Sequence, residues 1–173
     1  MLASSNPNQA YHLAAISHLS AIKSSLPFVH FFDGFRTSHE ISKIKLLDYS
    51  KIEKLIDKKA LENFRNRQMS NINPNTRGTA ENDDIYFQHT ESRNEDYNNV
   101  ANIVEEYMDK FNKIENTNYK PFNYYGSKKA KYVIVAMGSV CNTTRELINY
   151  LNDSELGLVE VHLYRPFSKE HLI

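Results

Sequence analysis

The sequence predicts an α/β fold with strands paired in parallel, and two stretches of the chain support that prediction. A helical segment after Asn6-Pro7 leads into a short, nearly all-apolar strand at residues 28–32, and a helix that feeds a strand is typical of the class. Residues 131–137, 143–151 and 158–163 have the patterns of a strand, a helix and a second strand. This succession within about thirty residues indicates a right-handed parallel β-α-β unit.

The composition is that of an ordinary globular chain. Its 173 residues fit one domain, or two small or incomplete ones, with 40% hydrophobic and 24% charged residues. Basic and acidic residues number 21 each, so no net charge favours nucleic acid or an anionic membrane as a partner. The single cysteine, Cys141, excludes an internal disulfide and a cysteine-ligated zinc or iron–sulfur site within this chain. The apolar runs are too short to span a bilayer and the first residues lack a signal-peptide pattern, so we expect a cytoplasmic protein.

The first predicted helix has clear boundaries. Asn6 has an N-cap side chain, Pro7 suits the first helical turn, and the apolar residues that follow are mostly three or four positions apart. Pro27 ends the segment. Residues 28–32 are apolar enough to predict a strand that is buried on both faces.

The next stretch carries weaker signals. Thr37 or Ser38 can cap a short helix, and residues 45–47 can form a second short strand. Ser50-Lys51-Ile52-Glu53 fits a capping box, and the apolar residues that follow predict a helix from about residue 51 to residue 68.

Irregular sequence separates the remaining elements. Residues 70–95 are dominated by Asn, Asp, Pro, Gly and Thr, so we expect a loop that crosses between two domains. An apolar stripe predicts a core-packed helix over residues 97–114, and residues 116–128 are expected to be loop. Pro166 ends the last strand, and we interpret the end of the chain at Ile173, where such a sheet would normally continue, as a truncation.

The turn before the predicted helix 143–151 is a candidate ligand site. Backbone amides at Gly138-Ser139 could hold a phosphate at the helix N-terminus, although no G-x-G-x-x-G or Walker lysine motif is present. We favour the simpler alternative that glycine permits a tight strand-to-helix turn. Cys141 near the same N-terminus could be a reactive thiol, but we favour a small buried residue.

Five ionisable residues lie close together at the first predicted strand and after it: His30, Asp33, Arg36, His39 and Glu40. Ligand sites in α/β proteins lie at the carboxyl ends of strands, so acid–base chemistry or a metal site is one hypothesis. The spacing of Asp33 and His39 matches no recognised metal motif. We favour a hydrogen-bonded turn in which Asp33 caps, Arg36 pairs with Asp33 or Glu40, and His39 packs.

The long loop carries two motifs, Arg77-Gly78-Thr79-Ala80 and Ile85-Tyr86-Phe87-Gln88. An ordered loop with aromatic anchors could wrap around a neighbouring subunit. The alternative is a linker that is pinned on its own domain, and the sequence leaves both interpretations open.

Blocks of sequence that cover nearly the whole chain carry a family resemblance, and in chain order they are Phe31-Phe32-Asp33-Gly34-Phe35-Arg36-Thr37-Ser38-His39-Glu40, Arg77-Gly78-Thr79-Ala80-Glu81-Asn82 with Ile85-Tyr86-Phe87-Gln88, Val104-Glu105-Glu106-Tyr107-Met108, Ala136-Met137-Gly138-Ser139-Val140-Cys141, and Val161-His162-Leu163-Tyr164-Arg165-Pro166-Phe167-Ser168. In this order they resemble the pyruvate:ferredoxin oxidoreductases and the related pyruvate:NADP oxidoreductases.

The resemblance implies a large multidomain enzyme, usually a homodimer, that oxidatively decarboxylates pyruvate with coenzyme A to acetyl-CoA and carbon dioxide. Thiamine diphosphate with magnesium would carry the carbanion chemistry, and iron–sulfur clusters would carry the electrons out. The acceptor would be ferredoxin, flavodoxin or a fused NADP-reductase domain. The expected compartment is the cytoplasm, with an organelle of anaerobic metabolism as the alternative.

By resemblance, residues 1–90 are the end of a pyrimidine-binding thiamine-type domain plus linker, and residues 91–173 begin a transketolase C-terminal-like domain. The glutamate that activates the thiamine would lie upstream of Met1, and the diphosphate, magnesium, coenzyme A and cluster sites would lie downstream of Ile173. We therefore assign no catalytic, cofactor-binding or metal-binding residue to this chain. The second hypothesis is a stand-alone α/β module that binds a partner or a small ligand at Gly138-Ser139 or near Asp33.

Overall fold

The computed structural model of the protein describes residues 1–74, 80–152 and 154–173. In chain order, the helices and strands are β1 (Leu2–Ala3), α1 (Pro7–Ser24), β2 (His30–Phe31), α2 (Tyr49–Glu53), α3 (Lys58–Arg67), α4 (Asp83–Glu91), α5 (Asn94–Asn98), α6 (Val100–Glu115), β3 (Phe122–Gly126), β4 (Tyr132–Ala136), α7 (Val140–Leu151), β5 (Leu156–Val161) and α8 (Lys169–Leu172). Parallel pairing of β1 with β2 and of β4 with β5 confirms the predicted α/β class.

Helices α1 and α6 form the main core, as their sequence patterns predict. The Asn6 side chain accepts the backbone N–H of Gln9 at 2.9 Å, and Pro7 occupies the first turn of α1. The apolar stripe of α6 packs against α1 and against the first strand, which confirms its predicted role. The buried residues of this core are Leu2, Leu13, Ile16, Leu19, Leu47, Ile52, Val100, Ala101, Ile103, Val104, Tyr107, Met108, Phe111, Tyr119 and Leu163.

The strand predicted at residues 28–32 is shorter and less buried than expected. Only His30–Phe31 pairs, in parallel, with Leu2–Ala3, and both residues are half-buried. Val29 is 53% exposed and Phe32 is 42% exposed. The prediction of a strand buried on both faces is therefore wrong, because pairing over two residues does not place this aromatic run between two layers.

Residues 37–68 differ from prediction in three ways. Residues 37–48 contain turns and irregular chain in place of the predicted short helix and strand. The predicted helix 51–68 is two helices, α2 and α3. Their N-caps are Asp48 and Asp57, whose carboxylates accept the backbone N–H of Ser50 at 3.1 Å and of Ala60 at 2.9 Å. Asp48 therefore starts the first helix before the predicted Ser50 cap, and Asp57 starts a second helix within the predicted segment.

Two predicted loops contain regular structure. The stretch 70–95 includes α4 and the beginning of α5, and Asp83 and Asp84 in the first turn of α4 favour the helix through its dipole. The stretch 116–128 includes β3, which pairs antiparallel with β5. Its burial alternates along Phe122–Gly126, a period-two pattern that the many polar residues around it conceal.

The C-terminal sheet has the order β3-β5-β4, with α7 connecting β4 to the parallel strand β5 as predicted. β5 ends at Val161, before Pro166. The N-terminal chain docks on the end of this sheet: Ala3 N–H donates to the His162 carbonyl at 2.8 Å, and Leu2 bridges Leu163. Among the described residues, no helix has the length and hydropathy needed to cross a membrane.

Candidate functional site

The turn after β2 contacts the N-terminus of α7. Asp33 lies two residues after β2, and its carboxylate accepts the backbone N–H of Ser139, the residue before α7. Gly138 has φ +79°, a left-handed conformation that glycine adopts without strain. A Cβ built on Gly138 would lie 2.9 Å from Asp33 Oδ2. This geometry favours the turn interpretation of Gly138-Ser139, because the Ser139 amide already has an anionic partner within the chain.

The two histidines of the predicted cluster lie apart from this contact. His30 Nε2 lies 2.8 Å from Ser4 Oγ, and burial lowers the pKa of His30. His39 Nδ1 lies 2.9 Å from Ser38 Oγ at the surface. The described residues contain no group of three His, Cys, Asp or Glu side chains that could hold a metal ion. The metal hypothesis therefore has no geometric support in this part of the chain.

Arg36 does not form the predicted ion pair. Within residues 1–74, 80–152 and 154–173, the ion pairs include none from Arg36 to Asp33 or Glu40. Arg36, His39 and Glu40 instead line one side of an open surface pocket of about 460 Å³, whose other side is the start of α7. The predicted turn is therefore held through Asp33 and α7, and Arg36 forms no ion pair with another described residue.

A buried carboxylate with several hydrogen-bond partners was not singled out from the sequence. Glu160 lies on β5 and is 1% exposed. Its Oε1 accepts the Ser5 hydroxyl at 2.7 Å and the Gln9 amide at 3.1 Å, and its Oε2 accepts a hydrogen bond from Arg145 on α7. Asn142 Nδ2 donates to the Ser5 carbonyl at 3.1 Å. We call Ser5, Gln9, Asn142, Arg145 and Glu160 the polar junction, because they link the N-terminal chain and α1 to α7 and β5.

The charge of Glu160 is stabilised where it lies. Burial works against the carboxylate, but the charge of His162 when it is protonated, the charge of Arg145 and the hydrogen bonds from Ser5 and Gln9 favour it, and its pKa is lower than that of an ordinary glutamate. Burial lowers the pKa of neighbouring His162, whose Nδ1 lies 3.1 Å from the Ala3 carbonyl oxygen. The junction is therefore a paired carboxylate and guanidinium beside a neutral imidazole, an arrangement suited to holding two segments together.

The sequence did contain a signal for Glu160. It is the one acidic residue in the run Leu158-Val159-Glu160-Val161-His162-Leu163, which was predicted as a strand. A charged residue on the inward face of such a strand requires a partner, because an unpaired buried charge is strongly unfavourable. The identity of the partners, one of which precedes it by 155 residues, depends on the tertiary fold.

Cys141 is a buried residue, as we favoured from the sequence. It is 0% exposed, and burial, with Glu160 adding to the effect, raises the pKa of its thiol to about 12. It packs with Ile148 and Leu158 between α7 and the sheet. A thiol with this pKa is protonated at neutral pH and is a poor nucleophile or metal ligand.

The loop motifs divide between described and undescribed residues. Arg77, Gly78 and Thr79 lie outside the described residues. Ile85, Tyr86 and Phe87 lie on α4 with 54%, 58% and 68% of their surfaces exposed. These exposed fractions do not distinguish the two interpretations, so wrapping around a neighbouring subunit and a linker pinned on its own domain both stay predictions.

Two family models match the chain. The model described as "Pyruvate flavodoxin/ferredoxin oxidoreductase, thiamine diP-bdg" matches residues 1–109, and "Pyruvate:ferredoxin oxidoreductase core domain II" matches residues 130–173. The polar junction and the Asp33–Ser139 contact therefore both join residues of one matched region to residues of the other.

Individual relatives agree with these matches. The chain is 49% identical to the pyruvate-flavodoxin oxidoreductase of Enterobacter agglomerans over 99% of its length, and 43% identical to the pyruvate:ferredoxin oxidoreductase of Moorella thermoacetica over 100%. It is 44% identical over 97% of its length to the mitochondrial pyruvate dehydrogenase [NADP(+)] of Euglena gracilis. The chain spans 15%, 15% and 9% of these three proteins. It belongs to the pyruvate flavodoxin/ferredoxin oxidoreductase family.

Proposed function

We propose that this chain is a scaffold segment of an enzyme that oxidatively decarboxylates pyruvate to acetyl-CoA. Residues 1–90 would be the C-terminal part of a pyrimidine-binding thiamine-type domain with its linker, and residues 91–173 the N-terminal part of a transketolase C-terminal-like domain. The two family matches, over residues 1–109 and 130–173, support a division into two domains. The proposed partners are the remaining domains of the same enzyme, a second subunit in a homodimer, and ferredoxin, flavodoxin or an NADP-reductase domain as electron acceptor.

The iron–sulfur clusters of such an enzyme do not fit the residues of this chain. An iron–sulfur cluster requires several cysteine thiolates, whereas the chain has one cysteine whose thiol has a pKa of about 12. The described part of the chain offers no cluster of carboxylate or imidazole ligands for magnesium. The amide at the α7 N-terminus is already bound by Asp33. The clusters are therefore assigned to other parts of the enzyme. Thiamine diphosphate, magnesium and coenzyme A remain proposed cofactors of the full-length enzyme, and the family model over residues 1–109 supports the first of them. We assign none of them a residue here and derive no chemical step on this chain.

The observation that carries the scaffold proposal is that β4, within the part of the chain that the structure describes, has an unpaired edge and exposed apolar side chains. It pairs with β5 along one edge, and no strand pairs with its other edge among the described residues. Its side chains Tyr132, Val133, Ile134 and Val135 are all between 39% and 65% exposed. Parallel strands as apolar as this are normally covered on both faces. A stand-alone interaction or ligand module, the alternative function, would not leave its most apolar strand exposed.

A chimeric enzyme tests the proposal. This chain replaces the matching segment of the Moorella thermoacetica relative, and the purified chimera is assayed for reduction of ferredoxin that depends on both pyruvate and coenzyme A. We expect activity within about tenfold of the parent, because scaffold residues contribute to folding and positioning and not to the chemical step. The matched control carries the same chain with Phe111→Asp, which disrupts the α1–α6 core. A well-folded chimera that has lost all activity would contradict the proposal.

A further inference from the structure

The N-terminus of α7 is capped from a distant part of the sequence. Ser139 is in the N-cap position, but its side chain makes no capping hydrogen bond. The carboxylate of Asp33, 106 residues earlier in the chain, accepts the Ser139 backbone N–H in its place. The first amides of a helix lack partners within the helix and carry a partial positive charge, so they favour an anion. Asp33 supplies that anion from the turn after β2.

We propose that Asp33 is a positioning residue. Its carboxylate is the anion bound at the Gly138-Ser139 turn, and this contact fastens the turn after β2 to helix α7. The close fit at Gly138 supports this role. A Cβ on Gly138 would lie 2.9 Å from Oδ2 and 3.2 Å from Oδ1 of Asp33, so both carboxylate oxygens lie directly over the glycine. The glycine therefore has two roles. It adopts the φ of +79° without strain, and its lack of a side chain leaves room for the carboxylate.

The contact differs from the polar junction in being exposed and in depending on one side chain. It joins a residue of the region matched by the thiamine-binding family model to a residue of the core domain II region. The charge of Asp33 also acts on the first turn of α7, where it contributes to the raised pKa of Cys141. The proposal concerns contacts within this chain and stands independently of the reaction that the enzyme catalyses.

Cys141 provides a built-in reporter for opening of this contact. The thiol is buried near the start of α7 and is the single cysteine of the chain, so an aromatic disulfide reagent labels it only when the helix start separates from its surroundings. In the full 173-residue chain, we expect Asp33→Ala to accelerate labelling about fivefold, because this is the typical effect of removing a helix N-cap. Arg36→Ala is the matched control, because Arg36 lies on the same exposed turn without an ion pair to Asp33.

Chemical rescue distinguishes loss of the Asp33 negative charge from a general loosening of the turn. Sodium formate should slow Cys141 labelling in Asp33→Ala, whereas sodium chloride at the same ionic strength should not. Asp33→Asn keeps a hydrogen-bond acceptor but lacks the charge, so its labelling rate should lie between those of the wild type and Asp33→Ala. Helicity from circular dichroism must match among the variants, and if Asp33→Ala fails to fold, the Asp33→Asn comparison supplies the test.

A double-mutant cycle tests the fit at Gly138. Gly138→Ala should accelerate labelling in the wild-type background, and by a smaller factor in Asp33→Ala, because the contact between the new methyl group and the carboxylate is then absent. The proposal is overturned if Asp33→Ala labels at the wild-type rate, if formate gives no more protection than chloride, or if the two substitutions act additively.

Discussion

The two packed regions of this chain differ in how completely they are covered. Around α1 and α6, side chains from both helices, from β1 and from the chain before β3 enclose one another, and Phe111, Val104 and Leu13 are 0% exposed. In the C-terminal sheet, α7 covers part of one face, and the corresponding core consists of Cys141, Ile148 and Leu158. A two-layer unit buries its strands only on the side that carries a helix. The comparison shows that the first region is closed and the second is open, which supports the proposal that other parts of the enzyme complete the second.

The largest expected contrast comes from truncating one buried side chain in each region. Phe111→Ala should lower the free energy of unfolding by about 3–5 kcal/mol, because a closed core cannot collapse around the cavity. Ile148→Ala should cost nearer to about 2 kcal/mol, since its site is open to solvent along one side and can relax. Urea denaturation of the 173-residue chain measures both values. Equal losses, despite the smaller side chain removed at Ile148, would contradict the conclusion that the second region is less completely packed.

Glu160→Gln tests whether the polar junction joins the two regions. The substitution keeps the shape but leaves the Arg145 guanidinium without its anion, so we expect a loss of about 2–3 kcal/mol in the free energy of unfolding. Glu106→Gln removes the exposed partner of Lys110 on α6 and should change stability by less than about 0.5 kcal/mol. The same urea denaturation supplies both numbers. A similar, small effect for both substitutions would show that the junction contributes no more to stability than a surface ion pair does.

Acidification should destabilise both the polar junction and the α1–α6 core, because burial also lowers the pKa of His12, which contacts Tyr119 in that core. His162 and Glu160 both have lowered pKa values in the folded chain, from ordinary values of 6.5 and 4.5. The unfolded state therefore binds more protons than the folded state below pH 6.5, so the free energy of unfolding falls as the pH falls. The Glu160 contribution is complete above pH 4.5 and is lost as the pH falls through its lower folded pKa. Thermal melts between pH 8 and pH 4 measure the trend, and His162→Gln should flatten its upper part. A profile that is unchanged in His162→Gln would contradict the assignment.

Val135→Lys on β4 should have the smallest effect on stability. Its effect on solubility should be the largest. Val135 is 61% exposed, so the change should alter the free energy of unfolding by less than about 0.5 kcal/mol. A lysine on an unpaired apolar strand should reduce aggregation and the binding of a hydrophobic dye. Ile41→Lys, at an exposed residue of an irregular segment, is the control and should change neither. Equal dye binding by both variants would show that β4 is not the exposed apolar surface.

The sequence predicts local patterns better than it predicts partners. The stripe of α6, the Asn6 cap and the β4-α7-β5 unit were all predictable, because each depends on residues a few positions apart. Strand β3 was missed because its polar neighbours conceal the alternation, and the helix at residues 51–68 was not divided because the cap of Asp57 was overlooked. Ser5 and Gln9 lie more than one hundred residues from Glu160 in the chain, and Ser139 lies more than one hundred residues from Asp33. Only the fold brings them together, and the family resemblance contributed no residue of either contact as a site.

Hydrogen exchange at β4 tests the central claim most directly. The measurement compares the 173-residue chain with the chimeric enzyme and follows the backbone amides of Tyr132–Ala136 and of Leu156–Val161. In the isolated chain, we expect the amides on the free edge of β4 to exchange as fast as loop amides, while those of β5, paired on both sides, are protected. In the chimera, the free-edge amides of β4 should become protected to the level of β5. Equal exchange of β4 in the two proteins would contradict the account, because the sheet would then be complete without the rest of the enzyme.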